Sequence, residues 1–204
     1  MAYAGSLNVS PEKLPSAAVD ETRAPGERTV VLAGGCFWCV EAVYKQLDGV
    51  TGLTSGYAGG TAQTADYRTV CSGTTDHAEA VEVRYDGARV TLGEILKVFF
   101  GVAHDPTQKD RQGNDEGRQY RSAIFFASDE QKRIAEAYIR QLDESGAFTA
   151  PIVTEVAKLD RFYPAEDYHQ DYAARHPLEP YILFTARPKV DKVKKYFSGM
   201  LARR

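Results

Sequence analysis

The chain has few of the residues that build disulfide scaffolds, and it has no membrane span. Three cysteines in 204 residues, Cys36, Cys39 and Cys71, are too few to staple a domain of this size. That usage fits a reducing compartment in which cysteines do chemistry. No apolar run approaches the roughly 20 residues that cross a bilayer, so no membrane segment is expected. The first residues lack a charged stretch followed by an apolar one, so no secretory leader is evident and a cytoplasmic location is expected. There is no internal repeat and no low-complexity tract. The net charge is only −3, without a basic block, which excludes nucleic acid as an expected partner. What remains is an ordinary balance of apolar and charged residues, in a chain long enough for one domain with its own core.

Residues 1–28 carry Pro11, Pro15 and Pro25 among small and charged residues without a period, and read as an arm over the domain or a loose tail. Residues 29–204 read as a single catalytic domain. Thr29–Ala33 is a short apolar run expected as a strand, and Val40, Val43, Tyr44 and Leu47 follow at helical spacing. Val50–Tyr57 reads as a second strand, and residues 58–76 as one long polar loop with glycines. From His77 to Tyr85 the residues alternate, with Glu79, Val81, Val83 and Tyr85 on one face. Glu79 then lies on the apolar side, where a poorly solvated carboxyl has a raised pKa; the alternative is an open strand end with Glu79 solvated.

Thr91-Leu92-Gly93-Glu94 is a capping box for a helix through Phe99, ended by His104-Asp105-Pro106. Residues 105–118 read as a surface loop. Gln119–Ala127 reads as a strand with Tyr120, Ile124 and Phe126 on one face. Ser128 caps a helix with Ile134, Ala135, Tyr138 and Leu142 on its apolar stripe, which Gly146 ends. Ile152–Leu159 is a further strand, Phe162–His176 is expected to be partly helical, and Asp191–Phe197 to be a short terminal helix. Interleaved strands and helices define an α+β fold, a mixed sheet with helices packed on it.

The chemistry is concentrated at Gly34-Gly35-Cys36-Phe37-Trp38-Cys39, between the first strand and the first helix. Glycines permit a tight turn, and a cysteine at a helix start is expected to have a lowered thiol pKa. Cys39 lies three residues on, placed for a short-loop disulfide. Three uses remain open. A zinc half-site needs a second ligand pair, which Cys71 and the four histidines do not supply by spacing. A thioredoxin-like dithiol would sit in the same strand–turn–helix setting. A reactive thiol attacking substrate, with Cys39 as its resolving partner, fits equally. A fourth reading is a peptide-docking patch at Phe37-Trp38 with inert cysteines.

Gly-Cys-Phe-Trp opening a helix resembles the active-site motif of the A-type peptide methionine-S-sulfoxide reductases. Further segments resemble that family in order: Gly56–Gly60, Tyr67–Gly73, His77–Val81, Arg111–Asp115, Gln119–Ser122 and Tyr168–Gln170. The resemblance implies a two-layer α/β sandwich with a ferredoxin-like centre, and reduction of methionine S-sulfoxide, free or in oxidised proteins, without a metal or other cofactor. It implies Cys36 as nucleophile, Glu79 as the acid that protonates the sulfoxide oxygen, and Tyr67 and Tyr120 as hydrogen-bond donors to that oxygen. Asp115 lines the site, and Phe37 and Trp38 wall the substrate methyl. Two departures stand out. Many relatives have glycine at position 39 and resolving cysteines in the C-terminal tail, whereas Ser198–Arg204 has none; the candidates are then Cys39 and Cys71, and because Cys71 matches a family position that looks structural, Cys39 is the expected resolving residue. The resemblance implies thioredoxin as reductant, and a monomer is expected. Ala65-Asp66 also precedes Tyr67 where Pro-Thr is common.

Overall fold

The computed structural model describes residues 9–202. In chain order the elements are β1 (Glu27–Gly34), α1 (Phe37–Tyr44), β2 (Val50–Ala58), α2 (Tyr67–Cys71), β3 (Ala78–Asp86), α3 (Leu92–Val98), β4 (Arg111–Gln112), β5 (Asp115–Glu116), β6 (Ser122–Phe126), α4 (Asp129–Glu144), β7 (Glu155–Lys158), β8 (Phe162–Pro164), α5 (Tyr172–Arg175) and α6 (Arg187–Tyr196). A six-stranded sheet runs β7-β6-β1-β3-β2-β8, with β6–β7 its one parallel pair. Its centre, β1-α1-β2-β3-α3-β6 in the order β6-β1-β3-β2, is the ferredoxin-like arrangement.

One face of this sheet carries the main core. Val30 and Leu32 of β1 and Val81, Val83 and Tyr85 of β3 meet Val40, Val43 and Tyr44 of α1, Ile95 and Leu96 of α3, and Ile134, Tyr138 and Leu142 of α4. The alternate residues Val31, Ala33, Ala80, Ala123 and Phe125 form a smaller cluster on the other face. The strands therefore alternate between two buried layers, as a period of two requires.

The expected caps are present. The Thr91 side chain accepts from Glu94 N–H and the Glu94 carboxylate accepts from Thr91 N–H, closing the capping box of α3. The Ser128 hydroxyl accepts from Gln131 N–H, and Gly146 follows α4 with a φ of 64°.

Several boundaries differ from expectation. The presumed loop 58–76 contains α2, because Asp66 caps it by accepting from Thr69 N–H. The expected strand Gln119–Ala127 begins only at Ser122; Tyr120 closes a 3-10 turn, so it does not share a strand face with Ile124 and Phe126. The loop 105–118 holds the β4–β5 hairpin. The aromatic stretch after Phe162 contributes the edge strand β8 before α5. The terminal helix starts at Arg187, following a π turn over Ile182–Ala186, with Pro188 in its first turn where a missing N–H is no loss.

Of the expected arm, residues 1–8 lie outside the described residues. Residues 9–26 run across α3 and α4, whereas Glu27 and Arg28 already belong to β1, paired with Asp86 and Tyr85 of β3, so the arm ends two residues before the expected boundary. Leu14 is buried in the main core, and the Tyr138 hydroxyl donates to Pro15 O at 2.9 Å. The carboxylates of Asp20 and Glu21 accept from Gly93 N and Leu92 N at 2.8 and 3.0 Å, at the positive end of α3. Leu14→Ala should cost about 2–4 kcal/mol, as for a buried leucine whose neighbours relax only in part. Denaturant unfolding measures this, and a loss below about 0.5 kcal/mol would show that the segment does not contribute to the core.

Candidate active site

The turn from β1 into α1 is shaped by close packing. A Cβ at Gly34 would come within 3.0 Å of the Phe99 ring, and Gly35 has a φ of +83°. Cys36 follows as the N-cap of α1. On the neighbouring central strand Glu79 stands opposite Tyr57 of β2 and is 2% exposed. The Phe37 N–H donates to Glu79 Oε2 at 3.1 Å. Cys36, Phe37, Trp38, Tyr67, Glu79, Asp115 and Tyr120, distant in sequence, line one cavity of about 170 Å³, together with Tyr181.

Burial, above all, raises the Glu79 carboxyl to about 8, and Asp115 and Cys39 act in the same direction against the Phe37 hydrogen bond. Glu79 is thus mostly protonated at neutral pH; it is not solvated at an open strand end. Burial likewise raises Tyr67, Tyr120 and Tyr181 well above ordinary phenols, so each keeps its proton and remains a donor.

The thiol behaves differently from the expectation. The Cys36 side chain makes no capping hydrogen bond, and the Phe37 amide is directed to Glu79. Burial, reinforced by Cys39 and Glu79 and opposed by the Tyr181 hydroxyl, pushes Cys36 well above the ordinary thiol range. The hydrogen bond from Cys36 instead pulls Cys39 down. The two sulfurs therefore titrate as a pair, and the first proton lost leaves a thiolate shared between them. Both are free thiols, as is Cys71. Cys39 does not line the cavity. It is fully buried behind Cys36, against Ile182 and Ala186.

Aromatic walls are held by residues to which the sequence assigned no role. Trp38 stacks on Tyr172 with centroids 3.9 Å apart and planes 11° off parallel. Its Nε1–H donates to His169 Nδ1 at 3.2 Å, which requires the His169 tautomer with its proton on Nε2. Burial lowers the pKa of His169, keeping the ring neutral, and the ring also packs against Phe37 and Tyr67. Glu166 ties two elements together, accepting from Tyr67 N and from the Tyr57 hydroxyl, each at 2.9 Å. The Gln170 amide bridges Ser55 and Ala165.

Tyr181 was missed altogether. Its hydroxyl donates to Asp115 Oδ2 at 2.5 Å across 66 residues of sequence. No spacing signal links the two, and Tyr181 lies outside the quoted segments. The segment Tyr168–Gln170 did carry a signal, though not a role. Among the described residues no group of three or more His, Cys, Asp and Glu side chains could hold a metal ion, and no helix is long and apolar enough to cross a membrane.

One thiol facing a neutral carboxyl and two protonated phenols, with a second thiol buried beside it, makes this the pocket of a thiol-dependent oxidoreductase. A sequence model described as peptide methionine sulfoxide reductase matches residues 28–200. The chain belongs to that family. It is 51% identical over 203 residues to the peptide methionine sulfoxide reductase MsrA 2 of Synechocystis sp., covering 97% of this chain and 95% of that protein. It is similar to the reduced form of Mxr1 from Saccharomyces cerevisiae, with a TM-score of 0.69 and 34% identity over 81% of this chain and 93% of that one. Mxr1 in complex with Trx2 aligns with a TM-score of 0.50 and 28% identity, covering 78% of this chain and 94% of that one.

Because Glu79 holds its proton more tightly folded than unfolded, the sign of its effect on stability follows. Below pH 4.5 both states bind the proton; between about 4.5 and 8 only the folded state keeps it, so stability falls as pH rises through that window. The fall is about 1.4 kcal/mol for each pH unit crossed. Glu79→Gln should remove this loss and be more stable than the parent by on the order of 4–5 kcal/mol at pH 8. Glu41, which burial raises to about 7, titrates in both proteins and cancels in the difference. Denaturant unfolding at several pH values checks this; a difference independent of pH would mean that Glu79 is not held neutral.

Proposed function

We propose that this chain performs the reaction of its family, the reduction of methionine S-sulfoxide to methionine, by attack of Cys36 on the sulfoxide sulfur. Sulfoxide sulfur is a poor electrophile until its oxygen is protonated or strongly hydrogen-bonded. Glu79 carries this reading. It is a carboxyl kept neutral by burial in the same cavity as the nucleophile, and it supplies the proton. Tyr67 and Tyr120, both protonated, donate to the oxygen as its charge grows. Cys36 passes its own proton across the hydrogen bond to Cys39 as it attacks. Phe37 and Trp38 enclose the substrate methyl, and the hydrogen-bonded pair Asp115 and Tyr181 lines the same cavity.

Oxygen transfer leaves methionine and a Cys36 sulfenic acid. Cys39 then attacks the Cys36 sulfur, water leaves, and a Cys36–Cys39 disulfide closes. A thioredoxin-class dithiol restores both thiols by exchange, a partner in keeping with the complex of the related Mxr1 with Trx2. In this reading residues 27–202 act as one catalytic unit with residues 9–26 as an arm across it, and the enzyme works as a monomer in the cytoplasm on free methionine sulfoxide and on oxidised proteins.

Reduced protein mixed with methionine sulfoxide should lose two thiols for each methionine formed. Cys36→Ser should abolish even the first turnover. Cys39→Ser should yield methionine once and then stall as a sulfenic acid; normal recycling with thioredoxin would remove Cys39 as the resolving residue.

The first turnover should also have a bell-shaped pH profile. It rises as the thiol pair ionises and falls as Glu79 loses its proton near pH 8. Glu79→Gln should lose about 10²–10⁴ in rate and also the alkaline fall. Stopped-flow single turnover reads both, and an unchanged rate excludes Glu79 as the acid.

A further inference from the structure

A buried lysine on the helix that packs against α1 has no part in the chemistry so far described. Lys189 is 4% exposed, on the first turn of α6, where that helix packs against α1 and the π turn Phe99–Ala103. Its Nζ donates to Ala103 O at 2.7 Å, and among the described residues no carboxylate pairs with it. A buried charge satisfied by a single carbonyl is costly without a counter-charge. Around it lie His104, which burial and the lysine itself keep neutral, and Lys192, of like charge. Cys39 shares an apolar cluster with Ala186, one helical turn before Lys189, where α6 packs against α1.

We propose that Lys189 is the built-in counter-charge for a Cys39 thiolate, a positioning residue for the resolving and recycling half of the cycle. The inference rests on Cys39 being the resolving residue. The lysine charge lowers the Cys39 thiol, after the larger effect of the Cys36 hydrogen bond and against burial; Tyr181 adds to it and Asp115 opposes it.

Two steps use this charge. In the first, Cys39 gives up the proton it took from Cys36, its thiolate forms a bond to the Cys36 sulfur, the Cys36 S–O bond breaks, and the hydroxide leaves with that proton as water; Cys39 is oxidised as the sulfenic acid is reduced. In the second, geometry sets the direction of exchange. Cys39 is 0% exposed whereas Cys36 is 7% exposed and lines the cavity, so the reductant thiolate reaches only Cys36. A mixed disulfide forms there and Cys39 is expelled as the thiolate that Lys189 stabilises. Substrate and reductant therefore use the same mouth in turn.

Two variants test the charge. Lys189→Met is close in volume and uncharged, while Lys189→Gln keeps a donor for Ala103 O without the charge. Each full-length protein is equilibrated with defined ratios of reduced to oxidised thioredoxin, and the Cys36–Cys39 disulfide is counted by alkylation and peptide mass spectrometry. Both variants should favour the disulfide about tenfold more than the parent, an offset of about 30 mV for a two-electron couple. Both should also close the disulfide about tenfold more slowly after one equivalent of methionine sulfoxide. Unshifted equilibria in both, or a shift in Lys189→Met alone, would overturn the proposal, the latter because the hydrogen bond without charge would then suffice. A parent protein that never forms the Cys36–Cys39 disulfide would instead refute Cys39 as resolving residue, and the role of Lys189 with it.

Discussion

The burial of Glu79 beside the first turn of α1 is the constraint around which the site is built. A carboxyl on a central strand, removed from water and given one backbone N–H, keeps its proton at neutral pH. The same dryness raises the neighbouring phenols and the Cys36 thiol. The site thus gathers several groups that keep their protons at neutral pH, and of the two sulfurs it is Cys39, hydrogen-bonded by Cys36, whose pKa is lowered. Stability and chemistry conflict here: each group that burial keeps neutral is one that the folded protein would shed without penalty if it were apolar.

A shell from distant parts of the chain holds this arrangement in place. Glu166 fastens the start of α2 to β2 through Tyr67 and Tyr57, and His169 accepts from Trp38 while packing on Phe37 and Tyr67. Tyr172 lies flat against Trp38. The aromatic side chains that line the cavity are therefore held in place by contacts from three separate segments. Two tight glycines bring Cys36 to the cavity without displacing Phe99 or Gln112.

The two thiols differ in access. Cys36 faces the cavity and Cys39 faces the interior, between α1 and the helix that carries Ala186 and Lys189. The second sulfur lies three residues on in the same helix, within hydrogen-bond reach of the first. The helix macrodipole, by contrast, contributes less than its position suggests, since its leading amide is hydrogen-bonded to Glu79.

Local patterning in the sequence determined a good deal. Alternation from His77 to Tyr85 was enough to put Glu79 on the apolar face, because a strand has only two faces. The capping box at Thr91, the cap at Ser128 and the glycine turn before Cys36 were legible because each is a contact within four residues. The resemblance in ordered motifs marked seven cavity residues. What the sequence left open depends on contacts across long separations. Tyr181 meets Asp115 over 66 residues, and the Cys36 thiol is raised rather than lowered because burial outweighs the helix end. The helix from Tyr67 and the 3-10 turn at Tyr120 escaped a reading based on periodicity, being too short to show one. Sequence determined which groups were available and on which face; tertiary packing decided how dry each one is, and hence which of them keep their protons.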